Sequence, residues 1–163
     1  MFAYLLLTGA LGLGFAQGGK PRPSFTDYRV KQIYKGKPAK PVLSKDQQAY
    51  RSRIREGAKA GVQFAGHYSV PRFGCGSGCT IFYVVDSIKG RVYQGLAVSD
   101  LPSAWMQQNH RDNIEQIEFH PNSRLLKING CPSETDCGFY DYEMVDGAGL
   151  KLVRKEILPR EFQ

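Results

Sequence analysis

The stretch Thr80-Ile-Phe-Tyr-Val-Val85 decides the fold, because a nearly continuous run of β-branched and aromatic residues is typical of a central strand. Asp86-Ser-Ile-Lys-Gly90 follows it and predicts a turn that ends on glycine. Arg91-Val-Tyr-Gln-Gly-Leu-Ala-Val98 then returns with β propensity. The three stretches together predict a β-hairpin.

Two more hairpins are predicted further along the chain. Each joins two runs with β propensity across a turn: residues 114–119 with 125–128, and residues 139–145 with 150–157. A short alternating run, Tyr68-Ser-Val70, adds one more strand. Sequential strands joined by tight turns predict an antiparallel meander sheet of about six to seven strands.

One helix is predicted over residues 44–60. Ser44 and Gln47 have the spacing of a capping box, and Gly57 and Gly61 mark the far end. An apolar stripe recurs every four residues, at Tyr50, Ile54 and Ala58. We therefore expect an α+β fold in which this N-terminal helix packs on the meander sheet.

The N-terminal residues predict export. The apolar run from Phe2 to Phe15 is too short to span a bilayer comfortably, and Gly14-Phe15-Ala16 offers a signal-peptidase site. Residues 1–16 are therefore a predicted signal peptide, which places the protein in the periplasm or outside the cell, with no transmembrane segment after cleavage. An uncleaved anchor and a buried N-terminal element remain as alternatives.

The rest of the chain divides at residue 43. Residues 17–43 are rich in glycine, proline and lysine and predict an extended linker, with a short strand near 27–34. Residues 44–163 predict a single α+β domain, because 163 residues are too few for two ordinary domains and enough for a real core.

The net charge of +7 indicates which kinds of partner the protein can attract. A basic exported protein can adhere to an anionic envelope polymer or membrane surface, whereas the predicted compartment argues against nucleic acid. A solvated surface that keeps the protein soluble explains the same charge. An envelope protein is the other partner that this location allows.

Four cysteines occur in two local groups, Cys75 with Cys79 and Cys131 with Cys137. Four cysteines allow three pairings, of which the two local ones are the simplest in an exported chain. A zinc site is the rival interpretation, but the second spacing is loose for zinc and export opposes it. The sequence thus predicts two disulfides, no metal and no cofactor.

The segment between the helix and the second cysteine holds the binding candidates, which are His67, Tyr68, Arg72 and Ser77. His67 is the one catalytic candidate, because histidine can act as a general base near neutral pH. A hydrogen-bonded structural histidine is the alternative. Strand alternation would place His67 and Tyr68 on opposite faces, and carboxylates such as Asp141 usually face solvent.

Four motifs give a resemblance to a known family. Phe64-Ala-Gly-His-Tyr68, Gly74-Cys-Gly-Ser-Gly-Cys79, Pro121-Asn-Ser-Arg-Leu-Leu126 and Cys137-Gly-Phe-Tyr140 resemble those of an uncharacterised family of small exported bacterial proteins. The resemblance spans about residues 45–157 and departs from the family at Arg72-Phe73. It implies a bacterial origin, export and a histidine–cysteine neighbourhood, and it brings no substrate, cofactor or catalytic residue.

Two function classes follow. A non-catalytic binding module of the envelope, such as an inhibitor or immunity-type protein with disulfide-shaped loops, fits the absence of any metal or triad spacing. A cell-envelope hydrolase that uses His67, with Tyr68 or Ser77 beside the glycine-rich loop, is the alternative. The second class lacks an acid at a defined spacing to orient the histidine.

Overall fold

The computed structural model describes residues 21–111, 113–134 and 136–163. They form eight strands: β1 Tyr68–Ser69, β2 Arg72–Gly76, β3 Cys79–Asp86, β4 Val92–Ser99, β5 Ile117–Phe119, β6 Leu125–Pro132, β7 Gly138–Val145 and β8 Gly149–Ile157. The α-helices are α1 Arg51–Ala58 and α2 Ser103–Gln108, and 3-10 turns lie at Phe25–Tyr28, Asp46–Tyr50 and Arg160–Phe162.

All the strands join one sheet in the order β1-β3-β4-β6-β7-β8, and every pairing is antiparallel. β2 also pairs with β3, and β5 with β6. The three predicted hairpins are present as β3–β4, β5–β6 and β7–β8. The predicted central strand is confirmed, since β3 has partners on both sides.

The predicted α+β fold with an N-terminal helix packed on six to seven strands is wrong. The protein is mostly an antiparallel sheet of eight strands, and its helical content is only 18%. The Gln47 amide explains part of the shortfall, because it accepts from the Ser44 N–H and donates to the Val92 carbonyl. This tie holds residues 46–50 as a 3-10 turn, so α1 begins only at Arg51 and is too short to form a layer.

The sheet curls around its main core. β4 meets β6 through two residue pairs only, and Gly149 at the start of β8 lies against the ring of Tyr93 on β4. Buried side chains from both halves therefore meet: Phe64, Ala65, Tyr68, Val70, Phe82, Val84, Val98, Ile117, Leu126, Ile128, Tyr140 and Met144. A second, smaller cluster combines Ile54 and Ala58 with Tyr83 and Val85 on the other face of β3.

The strand predicted near 27–34 is absent, since residues 25–28 form a 3-10 turn and only Arg29 makes a single bridge, to Ser123. Residues 21–43 instead run over the sheet as an extended strap. The Val30 N–H donates to Asn122 and the Tyr34 N–H donates to Gly66. The strap thus gains backbone partners without becoming a strand of the sheet.

The start of the strap is held by a buried carboxylate. Arg22 donates through Nη2 to Asp141 Oδ1 at 2.6 Å and through Nη1 to the Asn129 side chain at 2.8 Å. Arg154 lies 3.6 Å from the other Asp141 oxygen. Asp141 is fully buried, so the expectation that it faces solvent is wrong: Arg22 supplies hydrogen bonds in place of water, and Arg154 adds a second positive charge nearby.

Within the described residues, no helix is long and apolar enough to cross a bilayer. The predicted signal peptide at residues 1–16 lies outside the described part of the chain.

Candidate functional site

His67 and Tyr68 lie together rather than on opposite faces. Their ring centroids are 4.1 Å apart with an interplanar angle of 34°. Alternation fails because β1 begins only at Tyr68. Ala65 and Gly66 just before His67 have φ angles of 46° and 82°, so His67 sits on a turn, outside the pleat.

Both rings reach the same carboxylate. The Tyr68 hydroxyl donates to Asp146 Oδ1 at 2.6 Å, and His67 Nε2 lies 3.7 Å from that oxygen. Burial and, to a lesser extent, Asp146 raise the pKa of Tyr68 well above its usual range. Tyr68 therefore keeps its proton at any physiological pH and acts as a hydrogen-bond donor to Asp146.

The turn that carries Asp146 is clamped to the β3–β4 hairpin by further contacts. The Gly147 N–H donates to the Tyr93 hydroxyl at 3.2 Å, and Arg91 donates to the Gly147 carbonyl at 3.3 Å. This cluster joins the first strands of the sheet to the last ones. Its hydrogen bonds account for the conformation of the turn without any reaction.

Ser77 is far from this cluster. His67 and Tyr68 lie at the Asp86 end of β3, and Ser77 lies just before its other end at Cys79. Seven residue steps of a strand separate these two ends by about 23 Å. The structure therefore brings His67 and Tyr68 together but leaves Ser77 out of their reach.

Arg72, the remaining binding candidate, lies on β2 and is engaged locally. Its guanidinium carbon is 5.0 Å from the Phe119 ring centroid, and its Nη1 is 3.3 Å from the Glu115 carboxylate. Arg72 thus covers an aromatic ring at the edge of the sheet.

The two predicted local disulfides are confirmed as Cys75–Cys79 and Cys131–Cys137. Ser99 of β4 pairs with Cys79 on one side and with Cys131 on the other. The two disulfide loops therefore lie on strands one removed from each other, about 10 Å apart. We call this region the disulfide edge.

A second surface, which we call the basic face, consists of the strap residues 38–42, α1, and the turn 87–91 of the β3–β4 hairpin. It extends from the Asp86 end of β3 along α1 to Phe73 of β2, where the Arg53 guanidinium carbon lies 5.4 Å from the ring centroid. The Ala39 N–H donates to Ser87 and the Val42 N–H donates to Gly90, both at 2.8 Å, so strap and turn run side by side. The exposed cations of this face are Lys40, Arg51, Arg53, Arg55, Lys59, Lys89 and Arg91.

Two shallow grooves lie within the basic face. One, of about 240 Å³, runs between the strap and α1, with Lys40, Arg55 and Lys59 at its rim. The other, of about 300 Å³, is bordered by Val42, Lys89 and Arg91 among others. Lys59 also pairs with Glu56 at 2.6 Å, which is the one acidic side chain of α1.

Most cations of the basic face belong to one segment, residues 31–59, whose charge equals the net charge of the whole chain. Residues 31–59 contain nine of the 22 basic residues and only two of the 15 acidic ones, so this segment alone amounts to +7. The remainder of the chain is electrically neutral by the same count. The charge is therefore concentrated on the strap and α1 instead of being spread over the surface.

Sequence reasoning missed Asp146, Asp141 and the meeting of the disulfide loops. Asp146 is 79 positions from His67 and stands in an ordinary Asp-Gly turn, so no local signal singles it out. The concentration of charge in residues 31–59, in contrast, is visible in the sequence alone.

No family model, no curated protein and no solved structure matches this chain. Among the described residues, no group of three or more His, Cys, Asp or Glu side chains is placed to hold a metal ion.

Proposed function

We propose that this chain is an exported, non-catalytic binding module of the bacterial envelope that recognises an anionic envelope component through its basic face. The observation that carries the proposal is the concentration of the whole net charge of +7 in residues 31–59, which fold into the strap and α1. A charge spread only for solubility would not need to collect in one segment.

Export is supported by two further features. Both disulfides are local and intact, and such bonds persist in oxidising compartments such as the periplasm or the exterior. The apolar residues 2–15 and the motif resemblance to exported bacterial proteins agree with that location.

The hydrolase alternative has less support. His67 shares Asp146 with Tyr68, whose hydroxyl makes the shorter contact, and Ser77 is at the other end of β3. A histidine base needs a nucleophile or a water site within hydrogen-bond reach. This alternative stays a prediction, as does the narrower one of an inhibitor or immunity-type protein that binds through the disulfide edge.

Binding to a simple polyanion tests the proposal. We expect the protein to bind inorganic polyphosphate, and the double variant Lys40→Gln/Arg55→Gln to bind it at least tenfold more weakly. The affinity should fall as salt is raised, with a shallower slope for the variant, because fewer counterions are released. Isothermal titration at several salt concentrations measures both quantities.

The matched control is Lys151→Gln/Lys155→Gln, which removes the same charge from exposed positions on β8. This variant should bind almost as tightly as the unmodified protein. Equal weakening by the two double variants would mean that only the total charge matters, and the proposal would then be wrong.

A further inference from the structure

The basic face also exposes aliphatic side chains where the strap meets the β3–β4 turn. Val42 is 70% exposed and Ile88 is 50% exposed, the two highest values among the large hydrophobic residues of the described chain. The backbone bonds from Ala39 to Ser87 and from Val42 to Gly90 place the strap alongside the turn. Val42 and Ile88 are thus carried by two segments that run side by side, and we call the pair the apolar tip.

Cations surround this apolar tip. Lys40 precedes Val42 by two positions on the strap, and Lys89 and Arg91 lie one and three positions after Ile88; all three are exposed. Val42, Lys89 and Arg91 border one groove. The carboxylate at the start of the turn, Asp86, is buried and accepts from the backbone N–H groups of Ile88 and Lys89, so it presents no charge at the surface. The exposed Asp146 lies on the far side of Arg91, which bonds to the adjacent Gly147 carbonyl.

The combination of exposed cations with exposed aliphatic side chains distinguishes between two classes of anionic partner. A hydrated polyanion can pair with the cations, but it offers nothing to an exposed valine or isoleucine. An anionic bilayer attracts the same cations and also buries apolar side chains at the level of its headgroups. Exposed aliphatic residues ringed by lysine and arginine therefore favour a lipid surface.

We propose that the partner of the basic face is a membrane surface containing anionic phospholipid, onto which the protein docks with Val42 and Ile88 inserted among the headgroups. This inference rests on the proposed function and narrows its anionic partner to a lipid bilayer. Lys40, Lys89 and Arg91 would lie at the level of the lipid phosphates, with Arg55 and Lys59 flanking them.

Partition onto vesicles provides the test. The full chain is mixed with vesicles of phosphatidylcholine alone or with an equal part of phosphatidylglycerol, and the bound fraction is measured by flotation. The N-terminus has no charged side chain before Lys20 and is the same in every variant. The ratio of the two partition coefficients therefore reports the charge-dependent part of binding, and the coefficient on anionic vesicles, compared between variants, reports the apolar part.

The expected changes are specific to the basic face. Val42→Ser/Ile88→Ser should lower the partition coefficient on the anionic vesicles at least tenfold, because apolar burial is lost. Lys40→Gln/Arg55→Gln should lower the ratio by about 25-fold, at about fivefold per cation. The matched controls are Leu152→Ser/Val153→Ser, which replaces two exposed aliphatic residues on β8, and Lys151→Gln/Lys155→Gln. Both controls should leave the partition coefficient on anionic vesicles and the ratio within about twofold of the unmodified protein.

Polyphosphate binding, measured on the same proteins, separates the two proposals. Val42→Ser/Ile88→Ser should bind polyphosphate like the unmodified protein. If this variant also partitions onto anionic vesicles like the unmodified protein, membrane insertion is wrong and a soluble polyanion remains as the partner. If Lys40→Gln/Arg55→Gln changes neither polyphosphate nor vesicle binding, the proposed function itself is wrong.

Discussion

The Tyr68 side chain connects two strands that are far apart in sequence. Its ring is buried in the main core, and its hydroxyl donates to Asp146 in the turn before β8. His67 stacks on the same ring and lies near the same carboxylate. These contacts tie the turn before β8 to the start of the sheet at β1.

Tyr68→Phe should lower the free energy of unfolding by about 1 kcal/mol, because it removes one hydrogen bond to a charged but solvent-accessible acceptor. Asp146 has 74% of its side chain exposed, so water can replace the lost donor and the cost stays modest. Urea denaturation of the variant and the unmodified protein measures the difference.

Asp146→Asn is the companion variant, since it keeps an acceptor for the hydroxyl and removes only the charge. It should destabilise less than Tyr68→Phe. A Tyr68→Phe protein that is as stable as the unmodified one would show that the hydroxyl contact does not hold the turn.

Among the elements, the hairpins could be predicted, whereas the helix predicted over residues 44–60 is present only as the shorter α1. β3, β4, β7 and β8 follow directly from β-branched runs separated by glycine-containing turns. The capping-box pattern at Ser44 overstated the helix because Gln47 also bonds to Val92, a tertiary partner that no local pattern contains. Short sequence patterns therefore predicted the hairpins, which depend on neighbouring residues, and failed where a contact with a distant strand decides the structure.

The candidate surfaces likewise have features that the sequence could predict and features that it could not. The cysteine pairs could be predicted, because each closes a short loop within one stretch of chain. That the two loops lie together depends on the pairing of β4 with β6 at Ser99, which two residue pairs determine. The Asp146 contacts likewise depend on the curl of the sheet, so sequence spacing could not predict them.

At the level of elements, Gly90 is the point where the strap joins the β3–β4 turn. It has a φ of 72°, and a Cβ added there would lie 2.3 Å from the Lys40 carbonyl oxygen. Gly90→Ala should therefore cost about 2 kcal/mol or more, since the strap must move in addition to the backbone strain. The melting temperature and the affinity for polyphosphate should both fall.

Gly61→Ala is the matched control for this prediction. Gly61 has a similar φ of 79°, but nothing lies within 4 Å of an added Cβ. This variant should show the cost of the backbone conformation alone, about 1 kcal/mol, with unchanged binding. Equal losses of stability and of binding in the two variants would refute the role of the strap contact.

For the whole molecule, buried tyrosines determine the response to alkaline pH. Burial raises the pKa of Tyr68, Tyr83, Tyr140 and Tyr142 above the usual value of 10.0. Below that pH both folded and unfolded chains keep these protons, so the contribution is fully present. Above it the unfolded chain loses them first, and stability falls by up to about 1.4 kcal/mol per pH unit for each tyrosine.

We therefore expect the melting temperature to be steady up to about pH 10 and to drop steeply above it. Lys127 changes stability with pH in the opposite direction, because burial lowers its pKa. The four tyrosines outweigh this single group. Calorimetry from neutral to strongly alkaline pH measures the profile, and Tyr68→Phe should make it less steep. A melting temperature that stays constant through this range would contradict the prediction.

Because its net charge is collected in residues 31–59 and not spread evenly, the molecule has a permanent electric dipole. An object with such a dipole turns as it nears a negative surface, so it arrives in one orientation and not at random. The turn 87–91 of the basic face would then meet the surface, and the loops closed by Cys75–Cys79 and Cys131–Cys137, about 23 Å away along β3, would stand off from it. The arrangement would display two rigid, covalently closed loops at a fixed height above whatever the protein rests on.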